Sequence, residues 1–117
     1  MSEKAAEAFE LDRRGHVDLV RFTSSKLGTE AREKLYEVLQ GKTRPKIILN
    51  FDRIRVLSSA PIGMLVNFQK NVEASGGSLV LCELDPIVRD ILRLTHVEGL
   101  FTIRDSEKDA LDSFSAP

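Results

Sequence analysis

Two short runs of consecutive apolar side chains constrain the fold of this chain more than any other feature. They lie within residues 46–51 and 79–82, the first directly after Pro45 and the second shortly after Gly76-Gly77. Each run is too short for a helix, and neither alternates between apolar and polar side chains. Such runs are typical of strands buried on both faces of a sheet. They therefore predict central strands with helices packed against the sheet.

The segments around these runs carry strand or helix patterns. Residues 9–22 predict two strands joined at Gly15, and residues 100–103 predict a last short strand. Apolar residues at helical spacing predict four helices, over 29–39, over 61–74, after Asp85-Pro86 and after Ser106. The order β-β-α-β-α-β-α-β-α predicts a single α/β domain over residues 9–115, after a flexible N-terminus at residues 1–8. Long connections after the third strand predict a four- to five-stranded mixed sheet with about four helices.

Local signals predict where three of the helices begin or end. Thr29 is predicted to cap the first helix, and Gly41 to end it. Asp85 followed by Pro86 is typical of an N-cap and a first helical position. Ser106 begins a sequence with capping-box spacing.

Charge and hydropathy narrow the classes of function. Seventeen Lys and Arg against eighteen Asp and Glu give a net charge of −1. A nucleic-acid domain that works by phosphate neutralisation needs a basic excess, so we expect no direct nucleic-acid partner. The longest apolar stretch, residues 60–66, contains Pro61 and Gly63, and the N-terminus lacks an apolar signal segment. We therefore expect a cytoplasmic protein without membrane association.

No catalytic constellation is recognisable in the sequence. It contains no P-loop, no G-x-G-x-x-G and no G-x-S-x-G pattern. The single Cys82 allows no intrachain disulfide, and its place in an apolar strand predicts an inert core thiol. His16 and His96 lie far apart in the sequence and form no metal set with it. We expect no enzyme activity, no cofactor and no metal.

Two adjacent serines, Ser58 and Ser59, stand where the first of the two buried runs leads through a short loop into its helix. A serine at this position is commonly only a helix cap. A hydroxyl there is also exposed, and a phosphate added to it would meet free backbone N–H groups and the positive end of the helix dipole. Both interpretations remain open from the residues alone.

Three segments carry a resemblance to a known family. Residues 48–63 (ILNFDRIRVLSSAPIG) resemble the hydrophobic strand, the phospho-acceptor loop and the following helix of the STAS domain of bacterial anti-sigma factor antagonists. Residues 76–81 (GGSLVL) are similar to the helix stop and next strand of that domain. Residues 85–111 are similar to its C-terminal half.

The resemblance implies a protein-binding module. Its unphosphorylated form would bind an anti-sigma factor that is also a serine kinase, and phosphorylation would release it until a serine phosphatase resets the cycle. The implied acceptor is Ser59, with Ser58 as the second choice. The expected partner surface comprises the serine loop and the exposed side of the next helix, namely Ser58, Ser59, Ala60, Pro61, Asn67, Lys70 and Asn71.

This chain departs from the family pattern around the acceptor. Ser58 replaces the usual aspartate, Pro61 replaces a glycine, and Asn50 replaces an aspartate that often ends the strand. Lys26 stands where an acidic residue is common in the loop before the first helix. Proline stiffens the acceptor loop and removes one N–H group.

Two other hypotheses remain open. The chain could be a constitutive STAS scaffold, or a subunit of a larger regulatory or transport assembly, without phosphorylation. It could instead be a small nucleotide- or lipid-binding domain that uses the helix start as an anion site. The basic residues Lys42, Arg44 and Lys46, and likewise Arg53 and Arg55, are interpreted as ordinary solvated surface.

Overall fold

A five-stranded mixed sheet forms the centre of the domain in the computed structural model, which describes residues 8–115. Its strands follow one another in space in the order of the sequence. They are β1 (Phe9–Arg14), β2 (Val17–Phe22), β3 (Lys46–Asn50), β4 (Ser78–Cys82) and β5 (Thr102–Arg104). β1 is antiparallel to β2, and all later pairs are parallel. The predicted mixed sheet is confirmed. Of the N-terminal residues 1–8 that were predicted to be flexible, residues 1–7 lie outside the described part of the chain.

Within residues 8–115, four helices and one short turn connect and cover these strands. They are α1 (Ala31–Leu39), α2 (Ser59–Ala74), α3 (Pro86–Leu94), a 3₁₀ turn (Glu98–Leu100) and α4 (Glu107–Ser115). α1, α2 and α3 pack on one face of the sheet, and α4 packs on the other. This sheet with helices on both faces confirms the predicted α/β class.

The buried runs divide their side chains between two cores. Leu49 and Leu81 contribute to the larger core beneath α1, α2 and α3. Ile48 and Val80 instead pack with Ala110 of α4 on the opposite face. Alternate residues of a strand point to opposite faces, so helices on both faces require apolar side chains at every position. This requirement explains why the two runs do not alternate.

Three predicted boundaries were wrong by a few residues. Thr29 does not cap α1, because residues 28–30 already form a turn in which the Thr29 carbonyl accepts from the N–H of Arg32 at 3.0 Å. α2 begins at Ser59, two residues before the predicted start. The last strand begins at Thr102, since residues 98–100 form the 3₁₀ turn. By contrast, Gly41 ends α1 with a φ of 73°, a conformation that favours glycine.

Candidate functional site

The two serines occupy the junction between β3 and α2. Ser58 is the residue before the helix and has an extended backbone, and Ser59 is the first helical residue. Both are exposed. The carbonyl of Ser58 accepts the N–H of Ile62 at 3.2 Å, but within the described chain the Ser58 hydroxyl makes no capping hydrogen bond. The side-chain capping role that the sequence allowed is therefore absent for Ser58.

A backbone clamp holds the segment that leads to the serines. The carbonyl of Ser25, in the loop before α1, accepts the N–H groups of Arg55 and Val56 at 2.6 and 3.0 Å. Leu27 returns an N–H to the Val56 carbonyl at 3.3 Å. Buried Leu27 and Leu57 anchor the two sides of this clamp. The exposed Ser59 hydroxyl consequently stands on a platform built from two loops that are distant in sequence.

A polar network fixes the point where β3 ends. Arg21 of β2 donates two hydrogen bonds of 2.9 Å to the carboxylate of Glu107, the first residue of α4. Asn50, at the end of β3, donates to the same carboxylate at 2.7 Å and accepts the N–H of Asp52 at 2.7 Å. Glu83, which follows β4, accepts the N–H of Glu107 at 2.9 Å. The network therefore joins three strand ends to α4, directly beneath the start of the serine loop.

Hydrogen bonds from Arg21 and Asn50 hold the pKa of Glu107 below its usual value. Partial burial opposes this shift, but the two donors outweigh it. Glu107 is therefore an ionised partner of Arg21 at neutral pH. Asn50 takes part as an amide donor, which an aspartate at that position could not do when ionised. The substitution of Asn50 for the family's aspartate thus suits a neighbouring carboxylate.

The first turn of α2 is free of negative charge. It contains no acidic residue, and Arg53 and Arg55 are exposed on the segment before it. The Arg55 guanidinium lies 3.9 Å from Asp85 at the start of α3 and donates to the Asp52 carbonyl at 2.7 Å. The positive end of the helix dipole and the absence of acidic residues from the first turn make this surface favourable to an added phosphate. Pro61 is the third helical residue, where its missing N–H would have had no intrahelical partner.

The structure places the predicted surface residues unequally. Ala60, Asn67, Lys70 and Asn71 are exposed, whereas Pro61 is buried. Pro61 therefore shapes the helix start but offers little area to a partner. The Asn71 amide is partly engaged, because it donates to the Tyr36 hydroxyl at 3.1 Å and to the Asn67 carbonyl at 2.8 Å.

Sequence reasoning missed the groups that position the serine loop. Arg21 and Glu107 are 86 residues apart, and no local pattern signals their pairing. The backbone bonds of Ser25 carry no side-chain signature at all.

Two exposed apolar residues were also missed, namely Val56 and Ile87, which are 48% and 65% exposed. Only their places next to loops hinted at exposure.

Cys82 and the two histidines do not come together with acidic residues into a metal cluster within residues 8–115. Cys82 is fully buried, and burial raises the pKa of its thiol to about 12. No cluster of three or more His, Cys, Asp or Glu among the described residues could hold a metal ion. His16 and His96 are exposed. Among the helices in the described part of the chain, none is long and apolar enough to cross a membrane.

Comparison with known proteins agrees with this architecture. BtrV of Bordetella bronchiseptica, a candidate anti-sigma factor antagonist, is 29% identical over 73 residues, which are 62% of this chain and 63% of BtrV. The alignment thus spans slightly less than two thirds of that relative.

Solved structures resemble the whole domain. A STAS domain anti-sigma-factor antagonist protein from Planctomyces limnophilus superimposes with a TM-score of 0.84 at 19% identity, over 92% of this chain and 98% of that protein. The phosphorylated form of SpoIIAA, a Bacillus cell fate determinant, gives a TM-score of 0.68 at 21% identity, over 92% and 99%. At these identities the likeness shows the fold.

The sequence pattern of the STAS domain matches residues 28–110, which contain the serine junction but not Ser25, Leu27 or Arg21. The chain therefore belongs to the STAS domain family.

Proposed function

We propose that this protein is an anti-sigma factor antagonist whose partner binding is controlled by phosphorylation of Ser59. Its unphosphorylated form binds an anti-sigma factor that is also a serine kinase, and a serine phosphatase reverses the modification. The protein itself catalyses no reaction in this cycle and needs no cofactor. It acts through a surface formed by Ser58, Ser59, Ala60, Asn67, Lys70 and Asn71, with Pro61 beneath it.

The placement of Ser59 carries this proposal. Its hydroxyl is exposed at the first residue of α2, on a loop clamped by Ser25, and it has no hydrogen-bond partner within the described chain. A kinase can therefore reach it without unfolding the domain. Ser58 shares the exposure and occupies the N-cap position before the helix, and it is the second choice for the acceptor.

Phosphorylation would act by charge and not by refolding. A phosphate adds about −1.5 to −2 charges at neutral pH to a surface without acidic residues in its first helical turn. The positive end of the helix dipole stabilises that charge, so the fold tolerates it. A partner surface that fits the neutral hydroxyl instead meets a bulky dianion and must desolvate it. The same group thus preserves the domain and weakens the complex.

Binding to the host's anti-sigma factor kinase tests this proposal. We expect wild type and Ser59→Ala to bind with similar affinity, and Ser59→Asp to bind about tenfold or more weakly with an unchanged melting temperature. Ser78→Asp is the matched control, because Ser78 is exposed at the opposite edge of the sheet and the substitution introduces the same charge. Equal affinities for all four proteins would refute the switch.

A constitutive scaffold is the second candidate function. Pro61 favours it, because a buried proline in the first turn removes one N–H group that a phosphate could use. Intact mass after incubation with ATP and the kinase separates the two candidates. A gain of one phosphate, lost in Ser59→Ala, supports the switch. No gain under any condition supports the scaffold.

A further inference from the structure

A second polar cleft lies at the edge of the sheet opposite to Ser59. It has a volume of about 410 Å³ and lies where β2, β3 and the loop after α1 meet. Val17 of β2, Lys46 of β3 and Ser78 of β4 are aligned at this edge, whereas Asn50 ends β3 at the serine edge. The cleft is thus separated from the serine surface by the full length of the parallel strands.

The cleft is strongly cationic in a chain whose net charge is −1. Four of its eight lining residues are Arg or Lys and one is Asp, so its formal charge is +3 with histidine neutral. Arg13 comes from the end of β1, and His16 comes from the turn between β1 and β2. Lys42, Arg44 and Lys46 come from the segment that leads into β3. The sequence suggested only a solvated basic stretch at 42–46, and the fold adds the two residues from the hairpin.

Asp18 organises the cations instead of cancelling them. Its side chain is only 4% exposed, and its carboxylate lies 3.4 Å from Lys42 Nζ and 3.7 Å from an Arg13 guanidinium nitrogen. A buried carboxylate requires such partners, because its isolated charge would be costly to desolvate. Asp18 therefore holds Lys42 and Arg13 in place on one side of the cleft.

Arg44 is held in the left-handed region of backbone conformation, with a φ of 53°. Glycine adopts this region freely, and a residue with a side chain does so at a cost. The surroundings enforce it: the Arg44 N–H donates to the Ser75 carbonyl at 3.1 Å, and Gly77 approaches Pro45 so closely that a Cβ at position 77 would overlap the Pro45 carbonyl. Backbone geometry alone would favour glycine at position 44, so the arginine side chain points to a function.

We propose that this cleft binds a compact anion carrying two or more phosphate groups. Arg44 and Lys46 form no ion pair with any described residue, so their charges are available to a ligand. Arginine offers a planar fork of donors to phosphate oxygens, and lysine offers a point charge. The lining contains no aromatic residue of the Phe, Tyr or Trp type on which nucleic-acid bases could stack. Its concave shape favours a small anion over the flat surface of a membrane.

Calorimetric titration with inorganic pyrophosphate at about 150 mM salt tests the proposal. We expect saturable binding to one site in the wild type, with inorganic monophosphate bound about tenfold more weakly. The proposal would be overturned if pyrophosphate showed no saturable binding. It would also be overturned if pyrophosphate and monophosphate bound with equal affinity.

Variants locate the site. Arg44→Gly removes a cation and relieves the left-handed strain, so we expect pyrophosphate affinity to fall about tenfold while the melting temperature stays equal or rises. Lys46→Gln should weaken binding similarly. Arg53→Gln removes an exposed cation at the serine edge and should leave the affinity unchanged. A loss of equal size in Arg53→Gln would show non-specific charge attraction and overturn the assignment.

Two further measurements distinguish the anion site from a lipid-binding surface and from the serine surface. Sedimentation with vesicles containing phosphatidylglycerol identifies a lipid surface as the partner, and vesicle binding without pyrophosphate binding would overturn the proposal. Ser59→Asp should bind pyrophosphate as the wild type does, because the two surfaces lie at opposite edges. The result is therefore independent of the proposed function of Ser59.

Discussion

Glu107 shows how one side chain can support a distant loop. Its carboxylate accepts hydrogen bonds from Arg21 and Asn50. The side-chain oxygen of Asn50 in turn accepts the N–H of Asp52 at the start of the serine segment. Charge-assisted bidentate pairs of this kind are stronger than neutral hydrogen bonds and fix orientation as well as distance. Removing the carboxylate therefore affects stability and, through Asn50, the position where the serine loop begins.

The pKa of Glu107 gives a pH-dependent prediction. Its folded-state pKa lies below the ordinary value of 4.5, so its contribution to folding is fully present above that value. The contribution is lost as the pH falls through the lowered folded-state pKa. We expect Glu107→Gln to reduce the free energy of unfolding at pH 7 by about 1–2 kcal/mol.

Urea unfolding of wild type and Glu107→Gln at a series of pH values measures this effect. The difference between them should shrink below about pH 4.5, where the wild type loses the ionised carboxylate. Glu33→Gln, on the exposed face of α1, is the matched control and should differ little from wild type. A difference that stays constant down to acidic pH would contradict the assigned role of the charge.

Cys82 is expected to be unreactive in the folded protein. Burial raises the pKa of its thiol to about 12, and the thiolate is the reactive form. We expect the native protein to react negligibly with a disulfide reagent at pH 8 and to react with one equivalent in urea. Rapid reaction of the folded protein would show that β4 is not buried as described.

At the scale of elements, one of two predicted helix caps forms and the other does not. Asp85 accepts the N–H of Ile87 at 3.0 Å and is followed by Pro86 at the first helical position, as predicted. Thr29 has the right residue type for a cap but lies one residue before Glu30, which occupies the N-cap position. Both residues are of a type that commonly caps helices. Asp85 forms a cap, whereas the turn before α1 moves the N-cap position from Thr29 to Glu30.

Substitution of each residue by alanine separates the two cases. Asp85→Ala should lower the free energy of unfolding by about 1 kcal/mol, because it removes a side-chain cap. Thr29→Ala should change it by less than about 0.5 kcal/mol, since no cap is lost. Thermal or urea unfolding of both variants measures the difference. Equal effects would show that Thr29 caps α1 in solution.

At the scale of the whole molecule, the parallel strands separate two surfaces. Their carboxyl ends lead to the serine loop and the Glu107 network, and their amino ends lead to the cationic cleft. The sheet between them is buried on both faces by the two cores. The proposed partner and the proposed anion would therefore not compete for space.

Local patterns in the sequence specify the helices and strands and indicate the family. Continuous apolar runs specify strands buried on both faces, and periodic apolar residues specify the helices, because both patterns follow from local geometry. The motif around Ser59 is likewise contiguous, so its place between β3 and α2 was predictable. The ends of the helices and strands were less predictable, as residues 28–30 and 98–100 show. Short turns at these ends differ little in free energy from helix or strand.

Which distant groups meet depends on how the strands and helices assemble. The clamp of Ser25 on residues 55–56 uses backbone atoms that every residue carries. The pairing of Arg21 with Glu107 and the gathering of Arg13 beside Lys42 depend on strand order and register, which no local pattern encodes. The sequence does not show whether a charged side chain is solvated or paired, because its partner is brought close only when the sheet assembles.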